Sequence, residues 1–487
     1  MMKDNTHKSI KLNIVFNMLK VGSSIIFPLI TFPYISRVLQ PEYVGRINFV
    51  DSFIGYFTLI AGLGISTYGI RECAAARSNN QKLSKTASQI FSINVITTIF
   101  AYALLLIILV IANKKLQNYR NLIIIQSTSI VFITMGADWL NSAMEDFQYI
   151  TLRTIAFQLV SVVLMFVFVK TPNDYYKYAI ISVSASICAN LANIFYRKKF
   201  CKVSFTIHLD LRRHIEPILW LFAMAVVQTI FSNADITMLG IMKGDYQVGL
   251  YSTAHKVTKI IGQVIAATGA VVIPQLTVAF DNKNYDRANQ LLSKVLLLNF
   301  TIGLPCVVGV LAMSKDIIYI VGGNGYLEAA PVLSILIIST LFSLVGGNFL
   351  GNVILIPMKR EKYYMFVCMI TAIVNVILNA VLIPKFNALG AAIATAMNGF
   401  LICVLLLIKV DTNIKIEKPI SLLKAPFIGC IGIVLCCFLC SFITNYNWSI
   451  FFKIFSSVIM YTIVQIALKN SLFVELSKST INKLKRS

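Results

Sequence analysis

Fourteen apolar windows separated by short polar links leave this chain little choice of fold. They cover residues 12–34, 44–70, 90–112, 122–144, 155–169, 179–195, 216–242, 248–276, 291–313, 331–356, 364–383, 388–408, 425–443 and 450–468. Most reach the roughly 20 helical residues that span a hydrocarbon core, the fifth and sixth being the short ones. A barrel strand would show shorter runs alternating in polarity, so the windows read as helices of an all-α integral membrane protein. Composition agrees: 57% of the residues are hydrophobic and 13% charged, whereas covering a soluble surface takes about 25% charged residues. The ten cysteines lie mostly inside the windows and have no metal-ligand spacing with the four histidines, so they read as small apolar residues. The first window contains Asn13, Asn17 and Lys20 without a small-residue cleavage site, which makes it helix one and not a cleaved leader.

The 43 Lys and Arg outnumber the 20 Asp and Glu, yet they are too sparse and too confined to links to form a nucleic-acid surface. Their placement is a topology signal. Alternate links, together with both ends of the chain, hold about 29 of the 43, so both termini are expected in the cytoplasm. The longest polar link, 197–214, carries Arg197, Lys198, Lys199, Lys202, Arg212 and Arg213, and reads as an anchor beside anionic headgroups. It divides the chain into six-helix halves at 1–205 and 206–410, followed by a hairpin and basic tail at 411–487. Gln40-Pro-Glu-Tyr-Val-Gly45 recurs as Lys243-Gly-Asp-Tyr-Gln-Val-Gly249, about 204 residues later with one residue inserted. Two similarly oriented halves form a parallel repeat, an arrangement that encloses a central site in transporters.

The outer links are short, with no large extramembrane domain to carry acids, Arg or His for glycosyl transfer, and no Gly-rich phosphate loop is present. The chain therefore reads as a secondary transporter or flippase rather than an enzyme, with no cofactor or metal. The stretches Pro33-Tyr-Ile-Ser-Arg-Val-Leu-Gln-Pro-Glu-Tyr-Val-Gly45, Ala61-Gly-Leu-Gly-Ile-Ser-Thr-Tyr-Gly-Ile-Arg-Glu72, Asp235-Ile-Thr-Met-Leu-Gly240, Val248-Gly-Leu-Tyr-Ser-Thr-Ala254 and Leu389-Gly-Ala-Ala-Ile-Ala-Thr395 resemble the bacterial O-antigen flippases of the Wzx type. The resemblance implies the multidrug/oligosaccharidyl-lipid/polysaccharide (MOP) exporter fold, with two six-helix bundles in a V and two appended helices. It also implies transport of an undecaprenyl-diphosphate-linked oligosaccharide from the cytoplasmic to the periplasmic leaflet of the bacterial inner membrane. The partners expected on that basis are the lipid-linked oligosaccharide, membrane lipid, H+ or Na+, an O-antigen polymerase and a chain-length regulator.

A diphosphate crossing the bilayer calls for fixed cations, because an unpaired charge there costs between ~2.5 and ~17 kcal/mol. Lys20 lies eight residues into helix one, and Lys256 and Lys259 share one face of helix eight beside His255. With Arg46 at the start of helix two, these are the candidate diphosphate cations of a cationic lumen. Asp51, Asp138 and Asp235 sit at membrane depth, either to couple transport to an ion or to pair with a base. Pro28 is a candidate hinge in helix one, Arg37 and Arg71 are candidate gate residues, and Lys453 reads as a snorkelling anchor. Tyr34, Tyr56, Tyr68 and Tyr251 fit an interfacial belt better than a sugar platform. The alternative function is an organic-cation multidrug exporter of the same fold, driven by Na+ or H+, which needs an acidic or apolar cavity instead.

Overall fold

The computed structural model describes residues 10–270, 272–410, 414, 419–470 and 472. Lys3 and Lys8, counted among the basic residues at the N-terminal end, and the basic tail beyond residue 472 lie outside these. Among the described residues the regular structure is entirely helical. The order is α1 (Ile10–Gly62), α2 (Ile65–Ala76), α3 (Asn80–Ile111), α4 (Asn113–Leu116), α5 (Arg120–Gly136), α6 (Asp138–Ala143), α7 (Phe147–Phe168), α8 (Tyr175–Tyr196) and α9 (Leu211–Lys243). It continues with α10 (Asp245–Ala270), α11 (Ile273–Asp281), α12 (Tyr285–Ala312), α13 (Ser314–Gly322), α14 (Ala329–Ser343) running into a π-helix (Leu344–Leu355), α15 (Glu361–Phe386), α16 (Ala388–Leu407), α17 (Pro419–Cys440) and α18 (Tyr446–Ala467). Eleven runs among the described residues are long and apolar enough to cross a membrane. The first of them contains two rods, because α1 breaks at Gln40, and the interrupted pairs α5–α6 and α10–α11 supply two more. Fourteen rods follow, in the expected order.

The interruptions have local causes, and the peptide groups they free find partners. Gln40 precedes Pro41, a position that disfavours helical backbone, and it sits at φ 64°, ψ 167°. Its side-chain Nε2 donates to the Arg37 carbonyl at 2.6 Å. Helix two breaks at Leu63 and Gly64, both at positive φ. The Ala61 carbonyl there accepts from Asn94 Nδ2 at 2.8 Å and Thr97 Oγ1 at 2.6 Å. Helix four breaks at Ala137, φ 50°, where the Gly136 carbonyl accepts from Asn193 Nδ2 at 2.8 Å. In α12, Pro305 cannot donate to the Thr301 carbonyl, which accepts a hydrogen bond from the Tyr461 hydroxyl at 2.7 Å instead. The expected hinge, Pro28, lies within α1, whose one departure from helical φ/ψ is Gln40.

Packing divides the chain at 249/250, not at the repeat boundary of 205/206, because α9 runs along α1. Unit 1 comprises residues 1–249 and unit 2 residues 250–487. In unit 1 a core of Ile65, Tyr68, Leu83, Ile90, Trp139 and Leu140 joins α2, α3 and α6. The link after α8 packs on this core through Cys201. His214 is buried beneath it: Gln89 Nε2 donates to the His208 carbonyl, so Gln89 Oε1 is free to accept from His214 Nε2 (3.1 Å) while His214 Nδ1 accepts from the Tyr68 hydroxyl (2.7 Å). In unit 2, α17 and α18 pack on α12 around Leu304, Cys430, Ile433 and Tyr461.

Lys453 corrects its expected role. Its Nζ meets Asp316 Oδ2 at 2.8 Å, with 12% and 9% of the two side chains exposed, so it pins α18 to α13 and does not snorkel to solvent. Breaking one side of such a pair costs about 3–5 kcal/mol. Asp316→Asn should lower the thermal unfolding midpoint of the purified protein markedly, and adding Lys453→Met should recover most of the loss.

Candidate functional site

The links 40–41, 112–119, 169–174 and 243–245 meet at one end of unit 1, and there the repeated motifs lie against each other. A Cβ on Gly45 would fall 1.8 Å from the Asp245 carbonyl oxygen, and a Cβ on Gly249 would fall 2.0 Å from the Pro41 carbonyl oxygen. The contact is reciprocal, since Gly45 and Gly249, like Pro41 and Asp245, are 204 positions apart. Backbone shape agrees: Gln40 and Gly244, also 204 apart, have φ 64° and 84° with ψ near 180° at both. The register therefore needs no inserted residue, which corrects the reading from sequence. The rods behind this contact fit as closely, with Gly240 against the Phe49 ring and Ser52 Oγ bonded to the Asn233 carbonyl (3.0 Å) and Thr237 Oγ1 (2.6 Å).

Charge locks this clasp. Arg46 Nε donates to Asp245 Oδ2 at 2.8 Å, with Glu42 at 3.6 Å, and the guanidinium lies 5.6 Å and 5.7 Å from the Tyr43 and Tyr175 ring centroids. The Tyr119 hydroxyl donates to the other Asp245 oxygen at 2.7 Å. Burial, and then that bond to Asp245, holds the Tyr119 phenol above the ordinary tyrosine range, so it remains a donor. Tyr43 stacks on Tyr175 with centroids 4.7 Å apart, and its hydroxyl reaches Asn173 Oδ1 at 3.3 Å. One carboxylate at the start of rod eight thus ties rod two to the link before rod four.

The other expected site residues are distributed as follows. In unit 1, Lys20 is half-buried on α1, while Arg37 and Asp51 are exposed on it. Arg71 is exposed over the Tyr68 ring and next to Glu72 (3.5 Å). Asp138 pairs with Arg153 at 2.7 Å. Asp235 is buried on α9, ten residues before Asp245. In unit 2, Lys256 is half-buried and Lys259 exposed on α10, and His255 stacks on the buried Tyr251. Sequence reasoning quoted Asp245 within a motif without giving it a role, although an acid there and a base at Arg46 in the paired motif were the available signal. Tyr119, in a link with no pattern, gave none.

Among the described residues, fourteen helical rods whose paired motifs close on each other form a multi-pass helical membrane architecture. Among solved structures it is similar to the lipid II flippase MurJ in an inward closed conformation, with a TM-score of 0.73 at 17% identity over 94% of this chain and all of that one. It is also similar to a multidrug resistance MATE family transporter of the MOP superfamily in an inward-facing conformation, with a TM-score of 0.60 at 13% identity over 80% of this chain and 96% of that one. The family described as polysaccharide biosynthesis protein matches residues 10–280, and the MatE family matches residues 221–381. The chain belongs to the polysaccharide biosynthesis family. A relative from Escherichia coli (strain K12), named a putative O-antigen transporter, is 24% identical over 417 residues, 84% of this chain and 99% of its own.

Because both glycine contacts belong to one interface, their losses should not add. Gly45→Ala and Gly249→Ala should each destabilise the purified protein by about 1–3 kcal/mol through overpacking. The double variant should unfold close to the worse single one, whereas an additive loss in the melting curves would separate the two contacts.

Proposed function

We propose that this protein flips an undecaprenyl-diphosphate-linked oligosaccharide, an O-antigen or related surface-polysaccharide unit, from the cytoplasmic to the periplasmic leaflet of the bacterial inner membrane. The observation that carries this reading is the polysaccharide-family match over residues 10–280. The full-length similarity to a putative O-antigen transporter points the same way. Both termini are cytoplasmic on the basic-link count, which makes the clasp end of unit 1 periplasmic. Transport then proceeds by alternating access: the clasp is shut while substrate loads from the cytoplasmic side and opens to release it.

In this cycle Lys20 in unit 1, and Lys256 and Lys259 in unit 2, are each candidates to hold the diphosphate, replacing water with fixed charge, while the polyprenyl tail stays in lipid. Arg46 is a further candidate once it leaves Asp245. Asp235 is the candidate for coupling to H+ or Na+: it shares α9 with Gly240 and runs roughly 15 Å along the axis to the clasp, so a change in its charge bears on the same helix. Asp138, paired with Arg153, serves structure, and Asp51 stands as a second coupling candidate. Pro28, Arg37 and Arg71 take part in gating. A polymerase and a chain-length regulator act on the flipped product.

The test is flipping itself. The protein is reconstituted in liposomes with a fluorescent undecaprenyl-diphosphate oligosaccharide, and exposure to a membrane-impermeant reagent is followed with and without ion gradients. Protein-dependent exposure is expected, faster under the coupling gradient and lost in Lys256→Ala/Lys259→Ala with the protein still membrane-inserted. No exposure with several glycans, alongside export of a cationic dye, would replace this reading with the multidrug exporter.

A further inference from the structure

The link between α8 and α9 is a strap fastened to α3. Ser84 Oγ donates to the Lys202 carbonyl. Ser88 Oγ accepts from the Ser204 N–H at 3.2 Å, and Ser92 Oγ accepts from the Thr206 N–H at 2.8 Å. Gln89 Nε2 donates to the His208 carbonyl at 3.0 Å. Three serines spaced four apart on one helix face thus hold the strap's backbone in a fixed course.

At the head of the strap stands Arg197, 6% exposed. Buried Arg153 and half-buried Arg46 and Lys453 each have a carboxylate within 4.0 Å. Among the described residues the Arg197 side chain has no ion pair and no hydrogen bond, its Nη1 is buried without an acceptor, and its guanidinium rests 4.9 Å from the Phe91 ring centroid. An arginine does not shed its proton, and an uncompensated buried charge is strongly unfavourable. Among the described residues no carboxylate answers this charge, so an anion from outside them would complete the site.

The surroundings indicate the source. Lys198 Nζ lies 5.5 Å from the Phe195 centroid, and Lys199 Nζ lies 5.3 Å from that of Tyr196. Phe195, Phe205 and Ile207 are 70%, 55% and 83% exposed, which leaves large apolar side chains beside a basic run, the pattern of a surface seated at the headgroup boundary. We propose that Arg197, with Lys198 and Lys199, forms a binding site for a phosphate-bearing lipid headgroup, its apolar chain lying against Phe195, Phe205 and Ile207. Guanidinium and phosphate form charge-assisted pairs that an ammonium does not reproduce in geometry. The headgroup comes either from anionic bilayer phospholipid or from a polyprenyl phosphate carrier, and the site stands independently of the flippase reading.

The test is native mass spectrometry of the full chain, delipidated in detergent and titrated with dioleoyl-phosphatidylglycerol, dioleoyl-phosphatidylcholine or undecaprenyl phosphate. Saturable adducts are expected with at least one of the two anionic lipids, about five-fold or more above phosphatidylcholine, and Arg197→Gln should remove that excess while Arg197→Lys retains part of it. A preference for phosphatidylglycerol assigns the site to bilayer lipid, and a preference for undecaprenyl phosphate assigns it to the carrier. Equal binding of phosphatidylcholine, or an Arg197→Gln protein that binds as wild type does, overturns the proposal. If Arg197→Gln does not fold, Lys198→Gln/Lys199→Gln and the wild-type melting shift with phosphatidylglycerol against phosphatidylcholine decide, with no selective shift counting against the site.

Discussion

Inside hydrocarbon no water is available to a peptide group that leaves the helical ladder, so each break must be matched by a donor or acceptor from a neighbouring rod. This constraint accounts for much of the polar content of the apolar windows. Asn94 and Thr97 bond the carbonyl beside the break in rod two, Asn193 bonds the one in rod four, and Tyr461 replaces the donor missing at Pro305. Each of these side chains is conditional on a break elsewhere and fixes the distance between its own rod and the broken one. The breaks are therefore where the rods are tied together, and they set which faces approach.

Where rods approach most closely, side chains have been removed altogether. Gly45 and Gly249 bring two backbones into a contact that no Cβ permits, and the contact is reciprocal because positions 204 residues apart take equivalent places in it. Charge then closes at the same place, with Arg46, Asp245 and Tyr119 drawn from three separate parts of the chain. A low-dielectric setting strengthens such bonds and makes their rupture costly unless another anion or water replaces the lost partner.

The rods were legible in sequence because hydropathy is a property of each residue alone, summed over a window. Their pairing was not, since it depends on residues far apart in the chain. Lys453 shows the difference: its depth was readable, but its partner Asp316 lies 137 positions away. Rod eight was found as a window although α10 carries Asp245, Lys256 and Lys259, and the interruption before α11 left no apolar signature. The strap over α3 read as a plain basic link because its ladder uses serines, which are unremarkable in any window. The motif glycines were visible as a repeat, yet only the matching backbone angles at Gln40 and Gly244 set its register.

The reciprocity is imperfect at the positions that decide how firmly the clasp holds. Asp245 faces Arg46, but the positions 204 residues away from this pair are Pro41 and Leu250, so one ion pair crosses the contact where strict symmetry would give two. Gln40 occupies a conformation that glycine adopts freely and that costs another residue about 1–3 kcal/mol, while its counterpart is Gly244. One missing ion pair and one strained residue both weaken the closed arrangement relative to a symmetric one. A transporter that alternates needs its states within a few kcal/mol of each other, because a substrate can shift an equilibrium only by its differential affinity for the two. On the proposed cycle, the shared backbone contact supplies the geometry of closure, and the departures from symmetry keep that closure shallow enough for a diphosphate competing for Arg46 to reverse it.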